Sequence, residues 1–231
     1  MELTIEVMKK NQTIFLDEKT SRDVTINLYS HSSTQIYDTG HAGSVTCYFH
    51  VGSTLDYSFF ISSSTQKKLN LFFVGENALA FVKGVCILQE NQNASLVIEQ
   101  NHSASNTESV FLMRSLLADE AVLYQKGNII VLQKASSVAA SQKSKAITLS
   151  PNVKVQMLPE LDVRNKNVRC LHGAAVGSFD EKQLFYLQSR GVDGKSARQL
   201  LAQSFLTADL KKGKGQEEFI EMIHKKVQEL L

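Results

Sequence analysis

Cys170 and His172, a cysteine and a histidine two residues apart, are the residues of this chain best suited to chemistry. If residues 167–171 form a strand, both side chains project from one face, because strand side chains alternate with a period of two. A thiolate and an imidazole so placed suit a soft metal ion. Two ligands do not complete a tetrahedral or cluster site, so a partner chain would have to supply the others. The alternative is a half-buried strand pair whose thiol acts as a small hydrophobe.

A helix with both ends marked follows this pair along the chain. Asp180 is suited to the N-cap, with Gln183 three residues later to complete a capping box, and Gly191 stands where a C-cap glycine belongs. The cysteine and histidine are therefore expected where strands end and helices begin.

Charge and composition exclude several classes of function. Of the 231 residues, 25 are basic and 23 acidic, and the resulting net charge of +2 gives no electrostatic reason to expect nucleic acid or an anionic membrane as partner. No apolar run is long enough to span a bilayer and the start does not resemble a signal peptide, so we expect a cytoplasmic protein. A protein or small-molecule partner is favoured.

The other cysteines and histidines show no metal-ligand spacing. Cys47 and Cys86 lie in apolar runs, which predicts buried, reduced, structural thiols. Four other histidines are predicted mostly on loops or on the surface, and a basic cluster is predicted to be a solvated loop. These residues are His31, His41, His50 and His102, and Lys211, Lys212 and Lys214.

Residues 24–176 are rich in Val, Ile, Thr, Ser, Phe and Tyr in short alternating runs, which predicts a long all-β region. Similar runs begin near residues 77, 93, 108, 120, 136, 152 and 167, a period close to 16. Such a period is typical of a solenoid in which strands of successive coils stack, and we favour a parallel β-helix. A β-sandwich is the alternative, weakened by the near absence of tight hairpin turns.

After residue 178 the apolar period changes to about 3.6, which predicts three helices. They are expected over residues 181–190, from just after Asp193 to about residue 208, and over about 216–231. We therefore divide the chain into a β-helix core, 1–177, and a helical region, 178–231. The apolar stripe of the first two helices is expected to pack on the end of the solenoid and cap it.

The stretch from Met157 to Gly191 resembles the C-terminal core of the SufB/SufD family of iron–sulfur cluster assembly proteins, and most closely its SufD-like members. The matching motifs are P-E-L at 159–161, V-R-C-L-H-G-A-A-V-G at 168–177, and L-F-Y-L-Q-S-R-G at 184–191. The resemblance implies a right-handed parallel β-helix with a C-terminal α-helical appendage. It also implies a protein that is not an enzyme on its own.

The same resemblance implies partners and a site. Family members pair with one another and bind an ABC-type ATPase, SufC, through the helical region, so a SufC-like ATPase and a SufB-like paralogue or a second copy are the expected partners. Cys170 and His172 match the position associated with cluster formation at the subunit interface. No tightly bound cofactor is expected, only a transient iron–sulfur cluster. The candidate ATPase-docking residues are Leu184, Phe185, Arg190, Leu200, Leu201 and Phe205.

Two departures from the family pattern shape the hypothesis. The scaffold cysteine of SufB-like members, about 28 residues before the matching histidine in that family, has no counterpart among Ser141 to Lys145. The chain is also short for the family, which predicts a member with little room for the N-terminal helical domain. A SufD-like role is therefore favoured over a SufB-type scaffold.

Two other functions stay open at this point. One is a purely structural solenoid that mediates homodimerisation without cluster chemistry. The other, ranked lower, is a β-helix polysaccharide hydrolase or lyase, which would need paired carboxylates for acid and base catalysis. The repeats carry Glu99, Glu108, Glu120 and Glu160 without such pairing.

Overall fold

The computed structural model describes residues 2–17, 19–20, 22–40, 42–210 and 216–231. His41 and the cluster Lys211, Lys212 and Lys214 lie outside the described residues.

Fourteen strands precede three helices in the described part of the chain. The strands are β1 Glu2–Val7, β2 Gln12–Leu16, β3 Asp23–Leu28, β4 Ser33–Asp38, β5 Ser44–Phe49, β6 Thr54–Ile61, β7 Thr65–Phe73, β8 Leu79–Leu88, β9 Asn93–His102, β10 Glu108–Leu117, β11 Val122–Val131, β12 Val138–Thr148, β13 Lys154–Val163 and β14 Val168–Gly177. The helices are α1 Glu181–Ser189, α2 Gly194–Thr207 and α3 Gln216–Leu230.

The strands alternate between two parallel sheets, which confirms the parallel β-helix. Sheet A has the order β1-β3-β5-β7-β9-β11-β13, and sheet B has the order β14-β12-β10-β8-β6-β4-β2. Each strand pairs in parallel with the second strand after it; for example, Val138 of β12 pairs with Val168 of β14. The predicted period of 16 residues is therefore one strand and one turn, and a full coil takes two such repeats. The strands also begin at Glu2, earlier than the predicted start near residue 24.

The interior between the two sheets is filled by every second residue of each strand. Buried and half-buried positions alternate along all of β11 and, after the exposed Asn93, along β9. The largest buried side chains are aromatic, among them Phe49, Phe73, Tyr57 and Phe59, and the first two stack with ring centroids 4.5 Å apart. Parallel coils place like residues above one another, so apolar columns run along the solenoid axis.

The helices lie on the outer face of sheet B and do not cap an end of the solenoid, so the predicted end cap is wrong. Outward side chains of sheet B, including Phe60, Val85 and Ile87, form one apolar cluster with residues of α2 and α3 such as Leu206 and Phe219. In β8 seven consecutive residues are buried, because one face meets the interior and the other the helices. The two predicted domains share this cluster, and their division at residue 177 stays a prediction.

The helix ends follow the predicted signals. The Asp180 carboxylate accepts a hydrogen bond from the backbone N–H of Lys182, so the cap forms without the expected bond to residue 183. Gly191 has φ +87°, and the N–H groups of Gly191 and Val192 donate to the carbonyls of Gln188 and Leu187. This is the Schellman arrangement, which satisfies the last carbonyls of α1. None of the three described helices is long and apolar enough to cross a membrane.

His102 lies in the solenoid interior, contrary to the expected loop or surface position for this histidine. Its ring nitrogens are 2.7 Å from Thr107 Oγ1 and 2.9 Å from Ser109 Oγ, and its ring stacks on Phe73. Burial lowers the pKa of His102 from 6.5 to about 3. The imidazole is therefore neutral throughout the physiological pH range.

The buried neutral His102 should make the protein sensitive to acid. Below pH 6.5 the unfolded chain binds a proton on this residue and the folded chain does not, so the free energy of unfolding should fall by roughly 1.4 kcal/mol per pH unit on the way to pH 3. Urea denaturation between pH 7 and 4 measures this slope. In a His102→Gln variant, which retains polar groups but does not titrate, the free energy of unfolding should depend less steeply on pH. Parallel pH profiles for the variant and the wild type would contradict a neutral His102 in the folded protein.

Candidate functional site

The last strand of sheet B carries both candidate ligands. Cys170 and His172 pair in register with Ala140 and Gln142 of β12, both of which point into the interior and are buried. The two candidate side chains therefore share the inward face of β14, as their spacing predicts. No further coil covers them, because β14 and β13 are the terminal strands of their sheets within the described chain.

The end of the solenoid formed by β13 and β14 is exposed and apolar, and we call it the open end. Large apolar side chains here are 37–54% exposed, although the pattern of the preceding coils would bury about half of them. They are Leu158, Leu161 and Val163 of β13, and Leu171 and Val176 of β14. Each of these two strands also has one edge that pairs with no other strand of the described chain, and natural proteins usually cover or pair such edges.

Cys170 is half-buried against a small apolar cluster that includes Val131, Val138 and Ala140. Desolvation raises its pKa, and a hydrogen bond from the backbone of Ala140 partly opposes this shift. The thiol is thus mostly protonated at neutral pH, and a metal would have to displace the proton to bind sulfur. His172 is exposed beside it.

Cys47 and Cys86 are buried free thiols in the apolar core, as predicted. Burial raises the pKa of Cys47 to about 12 and also raises the pKa of Cys86. Both are structural hydrophobes that take no part in the candidate site.

Cys170 and His172 supply two donor atoms of the types found around iron–sulfur clusters and zinc. The described residues hold no group of three or more His, Cys, Asp or Glu side chains that could bind a metal ion. Within the described chain the pair therefore supplies two donors of a site that would need more, and no further coil of the described chain covers it.

The predicted ATPase-docking residues divide into exposed and buried ones. Phe185 is 73% exposed and Leu200 49%, whereas Leu184 is 6% exposed and packs in the cluster between the helices and sheet B. Leu201 and Phe205 are half-buried against the same cluster. Arg190 is exposed, and its guanidinium lies over the ring of Tyr186, a residue that the sequence reasoning did not include.

Buried polar groups in the interior were also missed. Lys67 and Asp38 form a fully buried ion pair at 2.6 Å, and the same carboxylate accepts a hydrogen bond from the Tyr57 hydroxyl. Nearer the open end, Gln125 Nε2 donates to Ser144 Oγ, and Gln142 is 2% exposed. Polar residues at inward positions of the alternating pattern were the available signal for these groups.

Comparison with known proteins gives partial matches, several of them to proteins named for iron–sulfur cluster assembly. The chain is 39% identical over 79 residues to the chloroplastic protein ABCI7 of Arabidopsis thaliana, covering 34% of this chain and 17% of that protein. It is 26% identical over 142 residues to the iron-sulfur cluster assembly protein SufD of Escherichia coli, covering 62% and 33%. A SufBD family protein of Pyrococcus horikoshii is 27% identical over 140 residues, covering 61% and 31%. The chain thus spans no more than a third of the length of these relatives.

A family model described as SUF system FeS cluster assembly, SufBD core domain, matches residues 38–205, well over half of the chain. The matched region runs from the end of β4 to the last turn of α2 and includes the open end with Cys170 and His172. It also includes every motif on which the resemblance in the sequence was based. The chain therefore belongs to the SufBD core family of the SUF iron–sulfur cluster assembly system.

Proposed function

We propose that this chain is a SufD-like component of an iron–sulfur cluster assembly complex. In this role it binds an ABC-type ATPase and supports cluster formation at an interface with a SufB-like chain or a second copy of itself. It acts as an assembly partner and not as an enzyme on its own. The observation that carries the proposal is the open end, where Cys170 and His172 lie on an uncovered coil surrounded by exposed apolar side chains.

The open end supports an interface because of its edges and its composition. Edge strands expose unpaired N–H and C=O groups, and pairing with another chain satisfies them. Leu161 and Val176 point inward, yet their side chains are 41% and 53% exposed. Exposed apolar surface of this kind favours burial against a partner. A partner seated there would meet the sulfur of Cys170 and the ring of His172 directly, so ligands from both chains could surround one cluster as cargo.

The exposed side chains of α1 and α2 support the ATPase contact. We define the docking face as Phe185, Tyr186, Arg190 and Leu200. Aromatic residues and arginine dominate the energy of protein interfaces, and Tyr186 and Arg190 are already stacked at 5.4 Å. The buried Leu184 holds α1 on the solenoid and is left out of this face.

Reconstitution tests the proposal in two steps. Co-expression with the SUF ATPase and a SufB-like chain should give a complex that survives gel filtration, and anaerobic addition of iron and sulfide should then produce cluster absorbance. Cys170→Ser should lower the cluster yield without loss of the complex. Cys47→Ala, which removes a buried thiol and leaves Cys170, is the matched control.

The outcomes separate the candidate functions. Absence of ATPase binding, both with and without nucleotide, would reject the proposed role. A stable complex with equal cluster yield from the wild type and Cys170→Ser would instead favour the structural solenoid, whose only function is association. Turnover of a polysaccharide by the chain alone would favour the hydrolase or lyase.

A further inference from the structure

Gln142 occupies the inward position directly beneath the open end. In sheet B it pairs in register with Phe111 of β10 on one side and with His172 of β14 on the other. All three residues face the interior, and neighbouring strands are about 4.8 Å apart. Gln142 is therefore the last buried polar side chain before the exposed imidazole in this column.

The side chain of Gln142 crosses the interior because residue 127 on the opposite sheet is glycine. A Cβ at Gly127 would lie 1.9 Å from Nε2 and 2.2 Å from Oε1 of Gln142. Gly127 pairs in register with Pro159 of β13, so the wall opposite His172 is a proline, which carries no polar side-chain atom. Sheet A therefore offers the imidazole no side-chain hydrogen bond at this level.

The carboxamide oxygen of Gln142 is buried and has no hydrogen-bond partner among the described residues. A buried polar atom without a hydrogen-bond partner lowers the free energy of unfolding by about 1–3 kcal/mol, so native proteins rarely leave such an atom unpaired. The carboxamide of a glutamine and the far ring nitrogen of a histidine lie at similar distances from their Cα atoms. Gln142 and His172 are register partners on neighbouring strands, so an oxygen acceptor without a partner and a ring that can donate an N–H occupy adjacent inward positions.

We propose that Gln142 is a positioning residue for His172. Its Oε1 accepts the ring N–H of the imidazole, which selects one tautomer and leaves the lone pair of the other ring nitrogen facing the open end. Histidines that bind metals commonly have their second nitrogen held in this way by an oxygen acceptor. The lone pair then points to the same side as the sulfur of Cys170. The inference deepens the proposed function, but its test needs only the chain itself.

Nuclear magnetic resonance of the ¹⁵N-histidine-labelled chain tests this contact. At a fixed pH where the imidazole is neutral, the wild type should show a single tautomer for His172 and a ring N–H that exchanges slowly with water. Gln142→Met, which has a similar shape and no acceptor, should speed that exchange about fivefold, the loss expected for one hydrogen bond. Gln142→Glu retains an acceptor oxygen and should restore slow exchange.

Two further variants make the test specific. Gln125→Met changes another buried interior glutamine, which pairs in register with Met157 and not with His172, and should leave the His172 signal unchanged. Gly127→Ala should displace the carboxamide of Gln142 and speed the exchange without altering residue 142 itself. Equal exchange rates and tautomers in the wild type, Gln142→Met and Gly127→Ala would overturn the proposal. Because no ATPase or cluster is present, this result would leave the proposed function untouched.

Discussion

Replacing Lys67 by methionine is expected to lower the free energy of unfolding by about 3–5 kcal/mol, the usual cost of breaking a buried ion pair. The side chains of Lys67 and Asp38 are both 0% exposed, and the ammonium also donates to the carbonyl of Ala42. Removal of the lysine leaves the Asp38 carboxylate in the interior with Tyr57 and the Gly40 N–H as its remaining donors. Urea denaturation followed by circular dichroism measures the loss.

The control for this prediction is an exposed ion pair on neighbouring strands. Lys126 and Glu160 are 3.1 Å apart with side chains 39% and 49% exposed, so Lys126→Met should cost less than about 1 kcal/mol. Addition of Asp38→Asn to Lys67→Met removes the uncompensated charge and should recover part of the loss. If Lys67→Met cost no more than Lys126→Met, the buried pair would not stabilise the fold as argued.

Replacing Phe185 by alanine is expected to weaken binding of the SUF ATPase about 30-fold or more, the effect of losing an interface hot spot worth about 2 kcal/mol. The side chain is 73% exposed on α1, so its removal should leave the stability of the chain nearly unchanged. Isothermal titration calorimetry with the purified ATPase gives the affinity, and a thermal melt of the variant checks that it is folded.

Phe15 provides the matched substitution for this experiment. It is a phenylalanine 53% exposed on β2, at the opposite end of the solenoid from β13 and β14. Phe15→Ala should bind the ATPase like the wild type. Equal affinity for Phe185→Ala and the wild type would remove α1 from the docking face, whereas weakening by both variants would indicate a non-specific loss of apolar surface.

The helical region packs on the same sheet that carries the open end. The α2 helix is tied to β10 by an ion pair between Arg114 and Asp209 near its C-terminal end, and the same arginine lies over the ring of Phe205. Sheet B continues from β10 through β12 to β14, which carries Cys170 and His172. The docking face and the candidate ligands are therefore connected through one hydrogen-bonded sheet.

The helices of this protein were predictable from the sequence because their signals are local. Asp180, Asp193 and Gly191 mark helix ends through contacts within a few residues, and the structure places α1, α2 and α3 within about two residues of the predicted ranges. The shared face of Cys170 and His172 was predictable for the same reason, since strand alternation needs no distant information. The family motifs at 159–161, 168–177 and 184–191 also lie in the sequence itself.

Only the tertiary structure decided which strands pair and what each face meets. Apolar and polar residues alternate in the same way whether a strand pairs with the next strand of the chain or with the second one after it. The 16-residue period therefore did not reveal that each coil contains two strands. The packing of helices on Phe60 and Val85, the burial of His102, and the position of Gln142 beneath His172 all depend on residues far apart in the chain. The consecutive apolar residues 85–88 of β8 are typical of burial on both faces, but what covers the outer face depends on long-range packing. Cys170 and His172 are thus a local pair whose exposure at an open end is set by the whole solenoid.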